Sequence, residues 1–128
     1  MTQHTPESLK YRRSDRTLEI RFPGEAAVDV SAEFSRVLSP SAEVQGHGPG
    51  QEVLQTGKAN VGITAIEPVG HYAVQISFDD GHSSGLYTWA YLAQLAREKR
   101  ALWQRYLEKL DEAGASRDPS TDVVKFIG

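Results

Sequence analysis

The stretch from His71 to Leu95, HYAVQISFDDGHSSGLYTWAYLAQL, constrains this chain most. Tyr72, Val74, Ile76 and Phe78 set a large apolar side chain at every second position, between His71, Ala73, Gln75 and Ser77. A period of two is that of a strand with one buried face. Asp79-Asp80-Gly81 then reverses the chain, because glycine adopts the positive φ that a tight turn demands. Past Ser83, Ser84 and Gly85 a short returning strand is expected, and Thr88 offers a hydroxyl to cap a helix opening at Trp89. Strand, turn, strand and helix follow in immediate succession, and the remaining elements can pack on that unit.

The segments upstream supply compatible elements. Residues 8–13 put Leu9 and Tyr11 on one face, Ser14-Asp15 turns, and residues 17–22 alternate with Leu18, Ile20 and Phe22 on one side. Pro23-Gly24 turns again and Ala26, Val28 and Val30 extend the buried face, so the first thirty residues predict a three-strand meander. Ser31 should cap a short helix over 32–38, with Glu33 in its first turn where the helix dipole favours an anion, and Pro40 beyond its end. From Asn60 the alternation Val61, Ile63, Ala65 predicts a strand over 60–66. Glu67-Pro68-Val69-Gly70 has the pattern of a type I turn, pairing that strand with 71–78.

At 100° per residue, Trp89, Leu92, Leu95, Ala96, Leu102, Trp103, Tyr106, Leu107 and Leu110 fall within an arc of about 140°. A straight helix from Trp89 to Ala113 would be roughly 37 Å long, against a radius of gyration of about 13 Å for a domain of ~100 residues. Either the helix bends near Ala96–Arg100, or its second half overhangs and offers Trp103, Tyr106, Leu107 and Leu110 to a partner. Lys99 falls in the middle of the apolar stripe. Gly114 closes the helix. The expected architecture is α+β: two layers, with antiparallel strands and hairpins packed against a short helix and a long C-terminal one. One domain over 7–113 is expected, with flexible tails at 1–6 and 114–128.

Composition narrows the function classes. A chain of 128 residues with 39% hydrophobic and 24% charged residues suits one folded domain burying roughly two-thirds of its unfolded surface. There is no cysteine, which excludes disulfides, thiol catalysis, thiolate-held zinc and a self-held iron–sulfur cluster. A net charge of −3, with basic residues clustered only at Lys10, Arg12, Arg13 and at Arg97, Lys99, Arg100, argues against a nucleic-acid surface. No apolar run is long enough to span a bilayer. Met1-Thr2-Gln3-His4 lacks the basic start and apolar block of a signal peptide, so a cytoplasmic protein is expected.

Residues 39–57, SPSAEVQGHGPGQEVLQTG, are the longest irregular stretch, and so long a loop in a compact domain points to function or mobility. Gly46, His47, Gly48, Gly50 and Gln51 could cradle an anion on backbone N–H groups, or form a tight loop that needs glycine to approach another backbone. Gln51 breaks the dinucleotide fingerprint, and the spacing of Gly50, Gly57 and Lys58 breaks the phosphate-loop pattern. His47, His71 and His82 with Glu43, Asp79 and Asp80 contain metal-ligand types, but no pair has the spacing of ligands on one helix face. Asp79 or Asp80 with His82 and Ser83 or Ser84 has the letters of a hydrolase triad, but neighbours on a hairpin point to opposite faces.

The order of these segments, and above all DDGHSSGLYTWAYL with GHGPGQ, resembles the small bacterial domain of unknown function similar to the N-terminal domain of gamma-butyrobetaine hydroxylase, over about residues 5–96. The resemblance implies a two-layer α+β fold. It also implies a zinc held by three cysteines after the short helix and one histidine after the hairpin turn. His82 matches that histidine, whereas Ser39, Ser41 and Val44 stand where the cysteines should be, so those zinc ligands are lost. The hydroxylase's iron and 2-oxoglutarate domain has no counterpart here. The same small domain occurs appended to iron–sulfur carrier ATPases, which implies an accessory role near iron–sulfur assembly or a metabolic enzyme.

The reading that results is a non-enzymatic binding or adaptor domain without a cofactor, whose partner is another protein. Its expected contacts are Gly46, His47, Gly48, Gly50 and Gln51, then His82, then Trp103, Tyr106 and Leu110. One alternative is a metal-binding module using His47 and His82 with nearby carboxylates; another is a small enzyme at the same loops.

Overall fold

The computed structural model describes residues 4–119. Among these residues six strands and four helices run in the order β1 (Ser8–Arg12), β2 (Thr17–Arg21), β3 (Val28–Ser31), α1 (Ala32–Val37), α2 (Ala42–Gln45), β4 (Ile63–Val69), β5 (Ala73–Phe78), β6 (Leu86–Thr88), α3 (Trp89–Arg97) and α4 (Lys99–Ala113). The strands form two antiparallel three-stranded sheets, β1-β2-β3 and β4-β5-β6, each a meander in chain order. The fold is α+β, as the sequence periodicities predict.

One apolar core joins both sheets to the helices. Leu18, Ile20 and Val30 from the first sheet meet Ile63, Val74, Ile76 and Phe78 from the second, with Phe34, Tyr87, Leu92 and Leu95 closing around them. Tyr11 crosses between the sheets, its hydroxyl accepting from the Ile63 N–H at 3.1 Å. Both predicted N-caps form: the Ser31 hydroxyl accepts from Phe34 N–H and the Thr88 hydroxyl from Tyr91 N–H, satisfying donors that a helix start leaves open.

The second hairpin departs from expectation. β4 runs on through Pro68, which pairs with Val74, and the turn falls at residues 70–72. Proline is tolerated there because β4 is an edge strand, where a missing N–H costs no ladder bond. Gly70, with φ of 57°, takes the turn instead. Tyr72 consequently leaves the buried face and is 54% exposed, while Ala73 is enclosed.

The long helix bends. It breaks at Glu98 (φ −105°, ψ 17°), between α3 and α4, so one apolar stripe can follow the curved body. The break also lets Lys99 reach the surface from the middle of that stripe. Tyr106 and Leu110 turn inward and form a second, smaller cluster with Val37, each only 5% exposed. Both pack as core residues and not on open surface, with Tyr106 also reaching a groove beside residues 52–55. Trp103 is half-buried between Phe34 and Tyr106, with ring centroids 6.3 and 5.3 Å away. Gly114 closes α4 in the left-handed conformation, as expected.

The chain after Gly114 is tied down, contrary to the flexible tail expected there. Gly57 and Ala59 N–H groups donate to the carbonyls of Ser116 and Arg117. The Arg117 guanidinium makes two bonds, of 2.6 and 2.8 Å, to the buried carboxylate of Glu33 and lies 5.0 Å from the Trp103 ring centroid. The rest of both expected tails, residues 1–3 and 120–128, lies outside the described residues.

Candidate functional site

The loop after α1 and the turn after β5 meet at His82. The turn is built locally: Gly81 N–H donates to Phe78 carbonyl, Phe78 N–H donates to His82 carbonyl, and the Asp80 carboxylate accepts from His82 N–H at 3.1 Å. This points the His82 ring inward, where only 7% of the residue stays exposed. Its Nε2 lies 2.8 Å from Ser39 Oγ and 3.3 Å from Ser41 Oγ, and its Nδ1 lies 3.2 Å from Glu43 Oε2. A carboxylate only accepts, so Nδ1 carries the proton and Nε2 accepts from a serine hydroxyl. Ser41 stands at the N-cap position of α2 yet makes no side-chain cap bond, because its hydroxyl faces the imidazole.

Beside His82, Asp80 gathers two cations. Its Oδ2 accepts from Arg36 Nε at 2.8 Å and from Lys58 Nζ at 2.5 Å. Burial pushes the Asp80 carboxyl up, but the hydrogen bonds from Lys58, the His82 amide and Arg36 outweigh it and hold the group at about 2. Burial and then the Arg36 charge lower the His82 pKa, against the opposing pull of Glu43 and Asp80. The imidazole is thus kept neutral, as its acceptor role requires.

Glu43, His82 and Ser39 line up as carboxylate, imidazole and hydroxyl, the order of a serine hydrolase relay. Burial rules out that chemistry. Ser39 is 0% exposed, and a Cβ on neighbouring Gly85 would lie 2.5 Å from its hydroxyl, so no substrate can approach. The triad letters first considered, with Ser83 or Ser84, do not assemble on His82: the Ser83 carbonyl accepts from Gln75, and the Ser84 hydroxyl donates to Glu43.

The glycine loop projects next to this junction. Gly46 (φ 72°) allows Gln51 to pack on it, for a Cβ there would sit 2.2 Å from the Gln51 carbonyl oxygen. This is the close backbone approach expected of a tight loop, whereas Gly48 and Gly50 face open space. His47 and Gln51 are exposed, unlike His82. Among the described residues no group of three His, Cys, Asp or Glu side chains is placed to hold a metal ion.

Behind the loop a groove of about 400 Å³ runs between residues 52–55 and the two C-terminal helices. Val37, Leu38, Val44, Leu54 and Leu102 are its apolar lining, and Arg105 and Lys109 stand beside Glu52 on its rim. Val53 is 54% exposed at its edge. Neither His47 nor His82 lines this groove.

A sequence model of the gamma-butyrobetaine hydroxylase-like N-terminal domain matches residues 9–93. The chain belongs to that family. Two proteins whose structures were determined by NMR in solution are similar throughout. One is 52% identical with a TM-score of 0.82, covering 98% of this chain and 99% of its own. The other is 49% identical with a TM-score of 0.76, covering 97% and 93%. A crystallised protein of unknown function from Acidithiobacillus ferrooxidans, placed in the DUF971 family, is 33% identical with a TM-score of 0.59 over 71% of this chain and 91% of its own. No protein of curated function matches the chain.

The zinc that the family resemblance implies can be tested against these residues. Ser39 and Ser41 do converge on His82, so the positions that should carry ligands adjoin one another. The donor set does not fit: two neutral hydroxyls replace thiolates, and Val44 has no donor at all. Here Ser39, Ser41 and His82, three of the positions at which the resemblance implies metal ligands, form a hydrogen-bonded clasp between loop and turn. The Arg36–Asp80–Lys58 cluster beside it was not legible beforehand, since Arg36 and Asp80 lie 44 residues apart and each resembles a solvated surface charge.

Proposed function

We propose that this chain is a non-catalytic adaptor domain that binds another protein through the glycine loop at 46–51, Val53 and the groove behind them. The observation that carries this reading is the groove itself: an apolar floor beside a valine more than half exposed. Arg105 makes no ion pair among the described residues, so the rim favours a segment that pairs an apolar anchor with an acidic residue. The buried relay at His82 supports a structural and not a catalytic role for that histidine, and the contact surface therefore excludes it.

The family resemblance makes a purified iron–sulfur carrier ATPase the first partner to test. Binding would be measured by calorimetry with the intact chain and with Val53→Asp and Arg105→Glu, using Glu67→Lys on β4 as a control. Loss of binding in the two groove variants, with melting unchanged and the control intact, supports the reading. Binding that ignores both variants refutes the groove as the contact surface.

A further inference from the structure

A second cavity, of about 430 Å³, opens on another part of the surface, where the end of the first meander meets α1 and the start of α4. It gives a place to Lys99, the charged residue in the middle of the helical stripe. Val30, Phe34 and Trp103 line the cavity; Val30 and Phe34 are buried, and Trp103 is half-buried with its ring tilted at 53° to Phe34. A half-buried tryptophan at the wall of a recess gives an apolar, planar surface for a ring to lie on.

The charges at the mouth are unevenly matched. Arg12 is held by Asp29 at 2.9 Å and by Asp15 and Glu19 at 3.4 Å, so its charge is already answered. Among the described residues Lys99 Nζ donates only to the backbone carbonyl of Asp29, a neutral acceptor. The Arg100 guanidinium, exposed beside it, makes no hydrogen bond or ion pair among the described residues. Neither cation is therefore held in an ion pair among the described residues. Asp15 and Asp29 also line the mouth, and they disfavour a ligand carrying several negative charges.

We propose that this cavity binds a small organic acid with a planar apolar body and a single carboxylate. The ring lies against Trp103, whose own ring is backed by the buried Phe34, and the carboxylate meets Lys99 and Arg100. The cavity volume falls within the range of small-molecule sites, which pair apolar walls with a few polar anchors. The break at Glu98 makes the site possible, because it starts α4 with both cations turned to the surface.

The test uses the full chain labelled for NMR, with 2-naphthoate as the probe and 2-naphthalenemethanol as its neutral counterpart. The expected result is saturable shifts at the Val30, Phe34 and Lys99 amides and the Trp103 indole. The alcohol should bind at least ~5-fold more weakly, the scale of one charge-assisted contact at a solvated mouth. The double variant K99Q/R100Q changes exposed residues only and should bring the two affinities within about twofold while leaving the melting temperature unchanged. Three results would each overturn the assignment. They are no saturable shift up to about 5 mM, equal affinity for acid and alcohol in the native chain, and shifts confined to the groove at Val53.

Discussion

Removing the Asp80 carboxylate tests the physics of the junction most directly. In Asp80→Ala, Arg36, 8% exposed in the native fold, loses the one acid it pairs with among the described residues, and its Nη1 already lacks a partner among them. Breaking a buried ion pair costs about 3–5 kcal/mol, because the surviving charge stays out of water. Asp80 lies in an exposed turn and its side chain is 20% exposed, so water can enter and the expected cost is about 2–3 kcal/mol. That corresponds to a fall of roughly 8–15 °C in melting temperature for a chain of this size. Urea unfolding followed by circular dichroism measures it. The double variant Arg36→Met, Asp80→Leu leaves no unpaired buried charge at this cluster and should be more stable than Asp80→Ala. Lys58→Met should cost less than either, near 1 kcal/mol, since that side chain is 22% exposed. Acid reads the same cluster. Asp80 is held at about 2 in the folded chain against an ordinary 3.8, so its contribution is complete above pH ~4 and disappears as pH falls towards 2. Solvent screening limits this part to about 1–2 kcal/mol. If Asp80→Ala unfolds within 0.5 kcal/mol of the native chain (about the scatter of surface substitutions), the argument from burial fails.

Other perturbations probe separate links. Trp103→Ala should cost about 3 kcal/mol in urea unfolding, the lower end for a buried aromatic, because the ring packs on Phe34 and Tyr106; an unchanged midpoint would return Trp103 to a pure contact surface. Arg117→Ala should destabilise by about 1–2 kcal/mol and change Trp103 emission, since it strips the buried Glu33 of its partner; unaltered emission would show that the segment after Gly114 does not rest on the ring. Gly46→Ala should cost at least about 1–2 kcal/mol and broaden the amide signals of residues 46–53, whereas Gly48→Ala, facing open space, should leave both unchanged.

How far the fold was legible in the sequence depended on how local the signal was. Period-two alternation located the strands through Leu18, Ile20, Val74, Ile76 and Phe78, and hydroxyls at Ser31 and Thr88 marked the helix starts. The second hairpin misled because Pro68 and Gly70 carry the letters of a turn, and only the edge position of β4 shows that the proline can stay extended. The helix bend was one of two admissible outcomes, and the packing of Tyr106 and Leu110 on Val37 decides it. The site was less legible. His82 and the loop were singled out from sequence, but which carboxylate and which serines would reach the ring depended on chain separations of about forty residues. The pairing of Glu33 with Arg117, 84 residues apart, left no trace in any local pattern.

The clasp at His82 raises a question of magnitude. A structural zinc contributes on the order of 10–16 kcal/mol to the folding of a small domain, whereas a hydrogen bond contributes about 1 kcal/mol net. The bonds from His82 to Ser39 or Ser41 and to Glu43 therefore cannot replace a metal energetically. They suffice only if the core carries the fold, and its continuous cluster across both sheets and the helices supplies that burial. Two consequences separate this clasp from a metal site. A chelator should leave the melting temperature within about 2 °C, and refolding from denaturant should not need added zinc. Acid should matter instead. Burial and Arg36 lower the His82 pKa below its ordinary 6.5, so the unfolded chain takes up the proton first. Stability then declines as pH drops below about 6.5 and stops declining once the folded imidazole is itself protonated. His82→Asn should flatten that slope while lowering stability at neutral pH. Stoichiometric zinc in protein purified without added metal, or collapse of the fold on chelation, would show that the hydroxyls do not stand alone at this junction.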